Sequence, residues 1–324
     1  MGAIMTGRRE FLSTIGLVGA GLAFPRLAAC AQEPSPQPPP KKSSGAERVA
    51  GKMLTRKIPS TGQALPVIGV GTSGSYEVPL TSAEYKSLET VLRVFFEGGG
   101  SVIDTSPNYS NAEDVVGALL AGGGWRDQTF LATKLAADDR AALEHQWADS
   151  LRRLRVERVE LLQVHNLRNL DQALGYAREL KARGLTRYIG ITHYLDSAQA
   201  EVARVLRAER PDFVQINYSV QSPRAADTVF PVAQELGVAV LVNRAFEDGR
   251  LFTAAQNRAL PAWAAEIGVT SWAQMFLKFA ISHSAVTAVI PATGKPERQA
   301  DNLRAGVGPL LDARQQSELR AMFA

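Results

Sequence analysis

One cysteine, Cys30, is the whole thiol content of this chain, so no internal disulfide braces it. Histidine is nearly as scarce. His145, His165, His193 and His283 are the full set, and none stand at a paired-ligand spacing such as His-x-His. A metal-dependent hydrolase is therefore poorly supported, and no metal is expected. An excess of one charge is also missing: 36 Lys and Arg face 32 Asp and Glu, a net of +4, with the basic residues scattered. That distribution argues against a nucleic-acid partner. The apolar run after Arg8 and Arg9 is rich in Gly and Ala and ends at Phe24, short of the roughly 20 strongly apolar residues of a membrane span.

What that first stretch does contain is an address. Arg8 and Arg9 followed by Glu10, Phe11 and Leu12 resemble a twin-arginine export signal, whose pathway moves proteins already folded. The run closes on Leu27, Ala28, Ala29 and Cys30, which looks like a bacterial lipobox, with Cys30 becoming the lipidated N-terminus. Residues 1–30 are thus expected to be a signal, and the mature protein to sit at a membrane of the cell envelope or periplasm through its lipid. Residues 31–50 are rich in Pro, Ser, Gln and Lys, bury too little to fold, and read as a disordered tether. Lys41 and Lys42 lie in it, near the expected membrane surface.

Residues 51–324 remain for the fold, a length that suits one α/β barrel as well as two smaller domains. The turn Pro59 to Gly62 joins two extended segments into an N-terminal hairpin. After it, strand and helix patterns alternate to the end. Strands are expected at Val67–Val70, Val102–Asp104, Thr129–Lys134, Val159–His165, Thr186–Thr192, Phe213–Asn217, Val238–Asn243 and Ala288–Ile290. Most are apolar on both faces, as parallel strands under helices must be. Eight unbroken βα repeats predict a closed (β/α)8 barrel of TIM type, whose chemistry gathers at the carboxyl ends of the strands.

Ionisable residues recur at those ends. Strand alternation puts Val102 and Asp104 on one face, Phe130, Ala132 and Lys134 on one face, and Leu161, Gln163 and His165 on one face. Three successive strands therefore finish on a charge or imidazole of the same parity, and Tyr109 follows the first. The arrangement makes chemical sense. A lysine ammonium beside a phenol favours phenolate, the aspartate neutralises and holds the lysine, and the histidine is placed to meet a carbonyl oxygen. The product is a general acid for a carbonyl accepting hydride, and a hydride must come from a redox cofactor.

In this order and spacing, Asp104, Tyr109, Lys134 and His165 resemble the catalytic tetrad of the aldo-keto reductases. The likeness runs over Leu54 to Leu303 through DTSPNY, the ATK and VHN strand endings, IGITHY, VQINY and IPATGKPERQADN. It implies a metal-free (β/α)8 barrel using NADPH or NADH, with Tyr109 as proton donor, Lys134 and Asp104 tuning it, and His165 orienting the carbonyl. It also implies that Thr192, His193 and Gln215 hold the cofactor amide, and that Thr293, Arg298, Asp301 and Asn302 meet the adenosine phosphate. Physical logic supports the last assignment, since Pro296 opens a helix and an adjacent arginine suits a phosphate there.

The chain departs from the family pattern in places. Thr192 and His193 stand where many relatives carry Ser and Asn. Asn243 and Arg244 stand where an aromatic ring commonly stacks on the nicotinamide, so the arginine plane is expected to stack there or to meet the pyrophosphate. Ala292 replaces a basic residue that helps hold the ribose phosphate, while Arg298 keeps NADPH favoured over NADH. Tyr76, Tyr194, Tyr218, Phe246 and Phe252 follow strands and are candidates to line an apolar substrate pocket. Trp125 reads as packing at the opposite end. The expected activity is reduction of an aldehyde or ketone of small to moderate size, with the cofactor retained through export and recycled by alternating substrates. A surface-tethered barrel that binds or senses a ligand without turnover is the competing reading, carried by the departures at Asn243, Arg244 and Ala292.

Overall fold

The computed structural model describes residues 51–324. The signal expected at 1–30, the lipidation site Cys30 and the tether at 31–50 lie outside the described residues. A hairpin comes first, with β1 (Thr55–Lys57) antiparallel to β2 (Ala64–Pro66) and Arg56 opposite Leu65. Its turn closes when the N–H of Gly62, at φ 72°, donates to the Ile58 carbonyl over 2.8 Å.

Eight parallel strands follow: β3 (Val70–Gly71), β4 (Val102–Asp104), β5 (Phe130–Leu135), β6 (Val159–Val164), β7 (Thr186–Thr192), β8 (Phe213–Asn217), β9 (Ala239–Asn243) and β10 (Val286–Val289). Each pairs with its sequence neighbour. The ladder then returns on itself: Val289 N–H donates to Val67 O at 2.9 Å, Gly69 N–H to Val289 O at 2.8 Å and Gly71 N–H to Pro291 O at 3.0 Å. The barrel is closed at this seam. There the strand limits differ most from the expected ones, and on its other side β10 shifts register against β9 between Val286 and Ala288. A Cβ on Gly71 would lie 2.7 Å from Ile290 O, so only glycine lets the two backbones approach this closely.

The helices are α1 (Ala83–Glu97), α2 (Ala112–Gly123), α3 (Arg140–Leu154), α4 (Leu170–Ala182), α5 (Gln199–Glu209), α6 (Ala225–Thr228), α7 (Phe230–Leu236), α8 (Arg250–Ala254), α9 (Trp272–Ser282), α10 (Pro296–Arg304) and α11 (Ala313–Phe323). Ser82, Asp139, Ser271 and Asp312 cap α1, α3, α9 and α11 through side-chain oxygens that accept backbone N–H groups. The helical stretch between β8 and β9 is two helices, α6 and α7. Pro231 near the start of α7 has no N–H to continue the ladder from α6. The sequence pattern predicts no element between β9 and α9, yet α8 and two 3-10 turns occupy 247–267. Among the described residues no helix is long and apolar enough to cross a membrane.

Alternation sorts the core into two bodies. Outward positions of the strands pack against the helices in the larger one. Inward positions fill the barrel with Val102, Phe130, Ala132, Leu161, Tyr188, Phe213, Ala239, Leu241, Ala288 and Ile290, joined by Ile58 and Leu65 of the hairpin. Phe130, Tyr188 and Phe213 meet at 5.4–5.8 Å between ring centroids, and the hairpin closes that end. Two residues further along β4, β5, β6, β8 and β9, the inward set turns polar.

Candidate active site

Inward parity carries Val102 to Asp104, Ala132 to Lys134, Leu161 to Gln163 and Phe213 to Gln215. All four polar residues are buried, and they meet. Lys134 Nζ donates to Asp104 Oδ2 at 2.5 Å and to the Thr105 carbonyl at 2.8 Å. Gln163 Nε2 and Gln215 Nε2 both donate to Asp104 Oδ1, at 2.8 and 2.9 Å. Asp104 thus accepts three N–H groups and gives none, the pattern of a carboxylate. Burial alone would push the Lys134 ammonium down. The facing Asp104 charge and the Tyr109 phenol outweigh it and hold the group above the ordinary lysine range, so it stays a cation.

Tyr109 follows on the loop after β4. Its ring centroid lies 5.0 Å from Lys134 Nζ, and it is half-buried where the ion pair is fully buried. His165, just past β6, meets the Tyr109 ring edge-on at 5.8 Å and 87°. Its Nδ1 is 3.1 Å from Ser106 Oγ. Burial first, then the Lys134 cation, pushes this imidazole down to about 3, so the ring is neutral near pH 7. Sequence reasoning placed Gln163 on the inner face without giving it a role, and it passed over Ser106. The usable signals were a polar side chain at an inward barrel position and a hydroxyl between Asp104 and Tyr109.

A cavity of about 790 Å³ opens over these groups and includes Asp104, Tyr109, His165, Thr192, Gln215 and Asn243 in its walls. Arg244, Ala292 and Arg298 line it too, as do Tyr194, Phe246 and Phe252. Tyr76 and Tyr218, the other two aromatic candidates, are buried in the outer core instead. Trp125 packs on Phe96 with centroids 5.3 Å apart.

The remaining candidates divide. Thr192 faces the cavity, and its Oγ1 accepts the Asn166 N–H at 3.0 Å. His193 is off the wall: its Nδ1 accepts the N–H groups of Tyr194 and Leu195, and its ring stacks on Tyr194. Asn243 joins the amides, donating to Gln215 Oε1 at 3.3 Å and His193 O at 3.1 Å. Arg244 lies 5.3 Å from the Tyr194 ring and pairs with Asp248. Its backbone is left-handed at φ 54°, as are Glu247 at 50° and Asp248 at 53°, a strained loop on the cavity rim.

On α10, Arg298 reaches the cavity and makes no ion pair among the described residues, while Thr293, Asp301 and Asn302 do not line it. Thr293 Oγ1 accepts the Lys295 N–H at 3.2 Å. Asp301 turns to the start of α9, accepting from Ser271 Oγ and Gln274 Nε2, each at 2.5 Å. Asn302 is buried. Among the described residues no cluster of three or more His, Cys, Asp or Glu is arranged to hold a metal.

Comparison with known proteins bears on this geometry. The chain is 27% identical over 201 residues to the aldo-keto reductase YhdN of Bacillus subtilis, and 34% identical over 136 residues to an aldo-keto reductase of Mycolicibacterium vanbaalenii. Those matches cover 57% and 40% of this chain and 60% and 46% of the two relatives, so the chain spans about half the length of the curated proteins it matches. Among solved structures it superposes on an aldo-keto reductase of Klebsiella pneumoniae in complex with NADPH, with TM-score 0.71 and 25% identity over 85% of this chain and 95% of that one. An aldo/keto reductase from the same organism, in complex with NADP and acetate, gives TM-score 0.69 and 25% identity over 81% and 93%. The model of the aldo/keto reductase family matches residues 67–323, from the closing seam of the barrel to the last helix, and the chain belongs to that family.

Proposed function

We propose that this protein reduces an aldehyde or ketone with NADPH, NADH being the poorer donor, and that Tyr109 delivers the proton. One observation carries the reading: a buried lysine cation, paired at 2.5 Å to a carboxylate, stands under a half-buried phenol on the wall of a cavity. The cavity suits the cofactor in size, since small-molecule sites run from about 300 to 1,000 Å³. It suits it chemically as well, with the amides of Gln215 and Asn243 and the Thr192 hydroxyl in one group and the Arg298 cation near the start of α10.

Bound NADPH supplies the hydride. The rest is done by the chain. As charge builds on the substrate oxygen, Tyr109 gives it the phenol proton, and the Lys134 cation stabilises the phenolate left behind. Asp104 keeps that cation in place, and Gln163 and Gln215 keep Asp104 in place. The Asn108 N–H fills one acceptor site of Ser106 Oγ, and we assign the Ser106 hydroxyl as the donor to His165 Nδ1. That puts the ring hydrogen of the neutral imidazole on Nε2, where it donates to the carbonyl oxygen and fixes its position.

The test uses the full chain: titrate NADPH and NADH, then follow NADPH oxidation with a panel of aldehydes and ketones. Tyr109→Phe should lose on the order of 10²- to 10⁴-fold in turnover and still bind NADPH. Unchanged turnover in that variant, or failure of the parent chain to bind either dinucleotide, sinks the reading.

Export belongs to the proposal. The Arg8–Arg9 signal carries the folded chain out with its cofactor aboard, and Cys30 takes the lipid that keeps it at the membrane. Replacing both arginines by lysine should strand the protein in the cytoplasm, and Cys30→Ser should release it from membranes. An Arg8→Lys, Arg9→Lys chain that is still exported, or exported protein purified without dinucleotide, would count against this part.

A further inference from the structure

We propose that Asn243 Oδ1 is a hydrogen-bond acceptor for the carboxamide N–H of the nicotinamide ring, aimed by a one-way chain of amides that starts at Asp104. The inference rests on the NADPH reading above and adds to it a contact and the reason for its polarity.

Each amide orientation follows from the one before. Asp104 Oδ1 faces Gln215 over 2.9 Å and can only accept, so the atom facing it must be Nε2. Gln215 Oε1 is then turned away, towards Asn243 at 3.3 Å. An oxygen there requires Asn243 to present Nδ2. The second neighbour of that nitrogen, His193 O at 3.1 Å, is also an acceptor and enforces the same choice. Gln163 fits the scheme, giving Nε2 to Asp104 and receiving the other Gln215 N–H on its Oε1 at 3.3 Å. Flipping any one amide would set two acceptors or two donors face to face. The carboxylate therefore dictates, two residues away, which end of the Asn243 amide is left over.

That leftover atom is Oδ1, and it is buried with no hydrogen-bond partner among the described residues. A buried acceptor without a donor loses its water and gains nothing in return, an arrangement that folded chains keep where a ligand completes it. Asn243 lines the cavity, so the missing donor can come from what the cavity binds. The donors of Gln215 are already spent on Asp104 and Gln163, which leaves Asn243 to read an N–H. A cofactor amide is the neutral donor that such an oxygen suits; the dinucleotide's phosphates, being acceptors, are repelled by it.

The readout is binding, not turnover. NADP+ is compared by calorimetry with 3-acetylpyridine adenine dinucleotide phosphate, which keeps the ring carbonyl and replaces its NH2 by CH3. The full chain should bind NADP+ about tenfold tighter, the value of one neutral hydrogen bond. Asn243→Leu, of similar shape and without polar atoms, should bind the two alike. Asp104→Asn should also lose the preference, since a neutral amide at 104 no longer fixes which way Gln215 and Asn243 turn, whereas a purely local role for Asn243 predicts no such effect at a distance. Binding of both dinucleotides without preference by the parent chain overturns this inference alone, as does a preference that survives in Asn243→Leu. A preference kept by Asp104→Asn overturns the amide chain. No binding of either dinucleotide overturns the reductase reading and this contact together.

Discussion

The two ends of the barrel are built from the same inward positions of the same strands, and they differ in almost every physical respect. At the end closed by the hairpin, Phe130, Tyr188 and Phe213 fill the bore with rings, and Ile58 and Leu65 pack onto them. Four residues past Phe130 on β5 and two past Phe213 on β8, the same faces carry Lys134 and Gln215. Backbone strain divides in the same way. Ser110, Asn166, Leu167, Asn169, Arg244, Glu247 and Asp248 hold positive φ in loops after β4, β6 and β9, all at the polar end. Arg155 and Arg210, by contrast, have positive φ only as the residues that end α3 and α5. One end is relaxed and apolar, and the other is strained, charged and densely hydrogen-bonded, with the Asn243 Oδ1 acceptor left over. The closed end supplies stability so that the open end can hold buried charge.

The strongest way to break that contrast is to remove one charge from the open end. Lys134→Met leaves Asp104 buried without its cation and should cost about 3–5 kcal/mol of stability along with nearly all turnover. Adding Asp104→Leu to it should return much of the stability and none of the turnover, because a buried pair replaced by apolar groups is often near neutral. Denaturant unfolding beside a reductase assay reads both. A double variant no more stable than Lys134→Met would mean that Asp104 holds the barrel together through the N–H groups of Gln163 and Gln215, which it also accepts. At the closed end, Phe213→Ala should cost about 3–5 kcal/mol through the cavity it opens. NADPH affinity measured well below the midpoint of unfolding should stay as it was, and a weakened affinity would show that the two ends are coupled.

Acid should separate the ends next. His165 titrates near 6.5 when unfolded and is pushed down to about 3 by burial in the fold. Between those values the unfolded chain binds the proton and the folded chain does not. The stability His165 allows is therefore complete above about pH 6.5 and falls as pH drops towards 3, by about 1.4 kcal/mol per pH unit in the limit. His165→Gln should flatten that slope. If the slope between pH 6.5 and 4 is the same in both proteins, the acid-sensitive group lies elsewhere.

The closed end was the easier half to read from sequence. Alternation alone puts Phe130, Ala132 and Lys134 on one face, and apolar runs of strand length separated by helical patterns describe a parallel barrel without any knowledge of its contacts. The meeting of Asp104, Tyr109, Lys134 and His165 could be read because these residues stand at or just after strand ends. What escaped were groups whose meaning depends on a partner far off in the chain. Gln163 matters through Asp104, 59 residues away, and Ser106 through His165, 59 residues away. Asp301 looked like a ligand contact by position and spends both oxygens on the cap of α9. No local pattern records which polar side chain has already found its partner. The loop after β9 was equally opaque, since its fold depends on strained backbone at Arg244, Glu247 and Asp248 rather than on propensity.

The smallest effect lies in the hydroxyl of Tyr188, a polar atom that the ring stack of the closed end points at the hairpin. It shares a hydrogen bond with Thr61 Oγ1 at 2.7 Å and donates to Gln63 Oε1 at 3.0 Å, pinning the β1–β2 turn to the ring stack. Tyr188→Phe keeps the ring and its contacts with Phe130 and Phe213. Thr61 is exposed and Gln63 partly so, which lets water replace the lost hydroxyl at both partners. The cost should then be that of one net hydrogen bond, about 1 kcal/mol, with turnover and NADPH affinity unchanged. Equilibrium unfolding in urea, compared at equal slope, measures it. A loss above about 2 kcal/mol would be more than a solvent-repaired bond explains. It would mean that the hairpin is held on chiefly by this hydroxyl and not by Ile58 and Leu65. A change in turnover would carry the consequence further, because it would show that the seal at one end sets the geometry of Asp104 and Lys134 at the other.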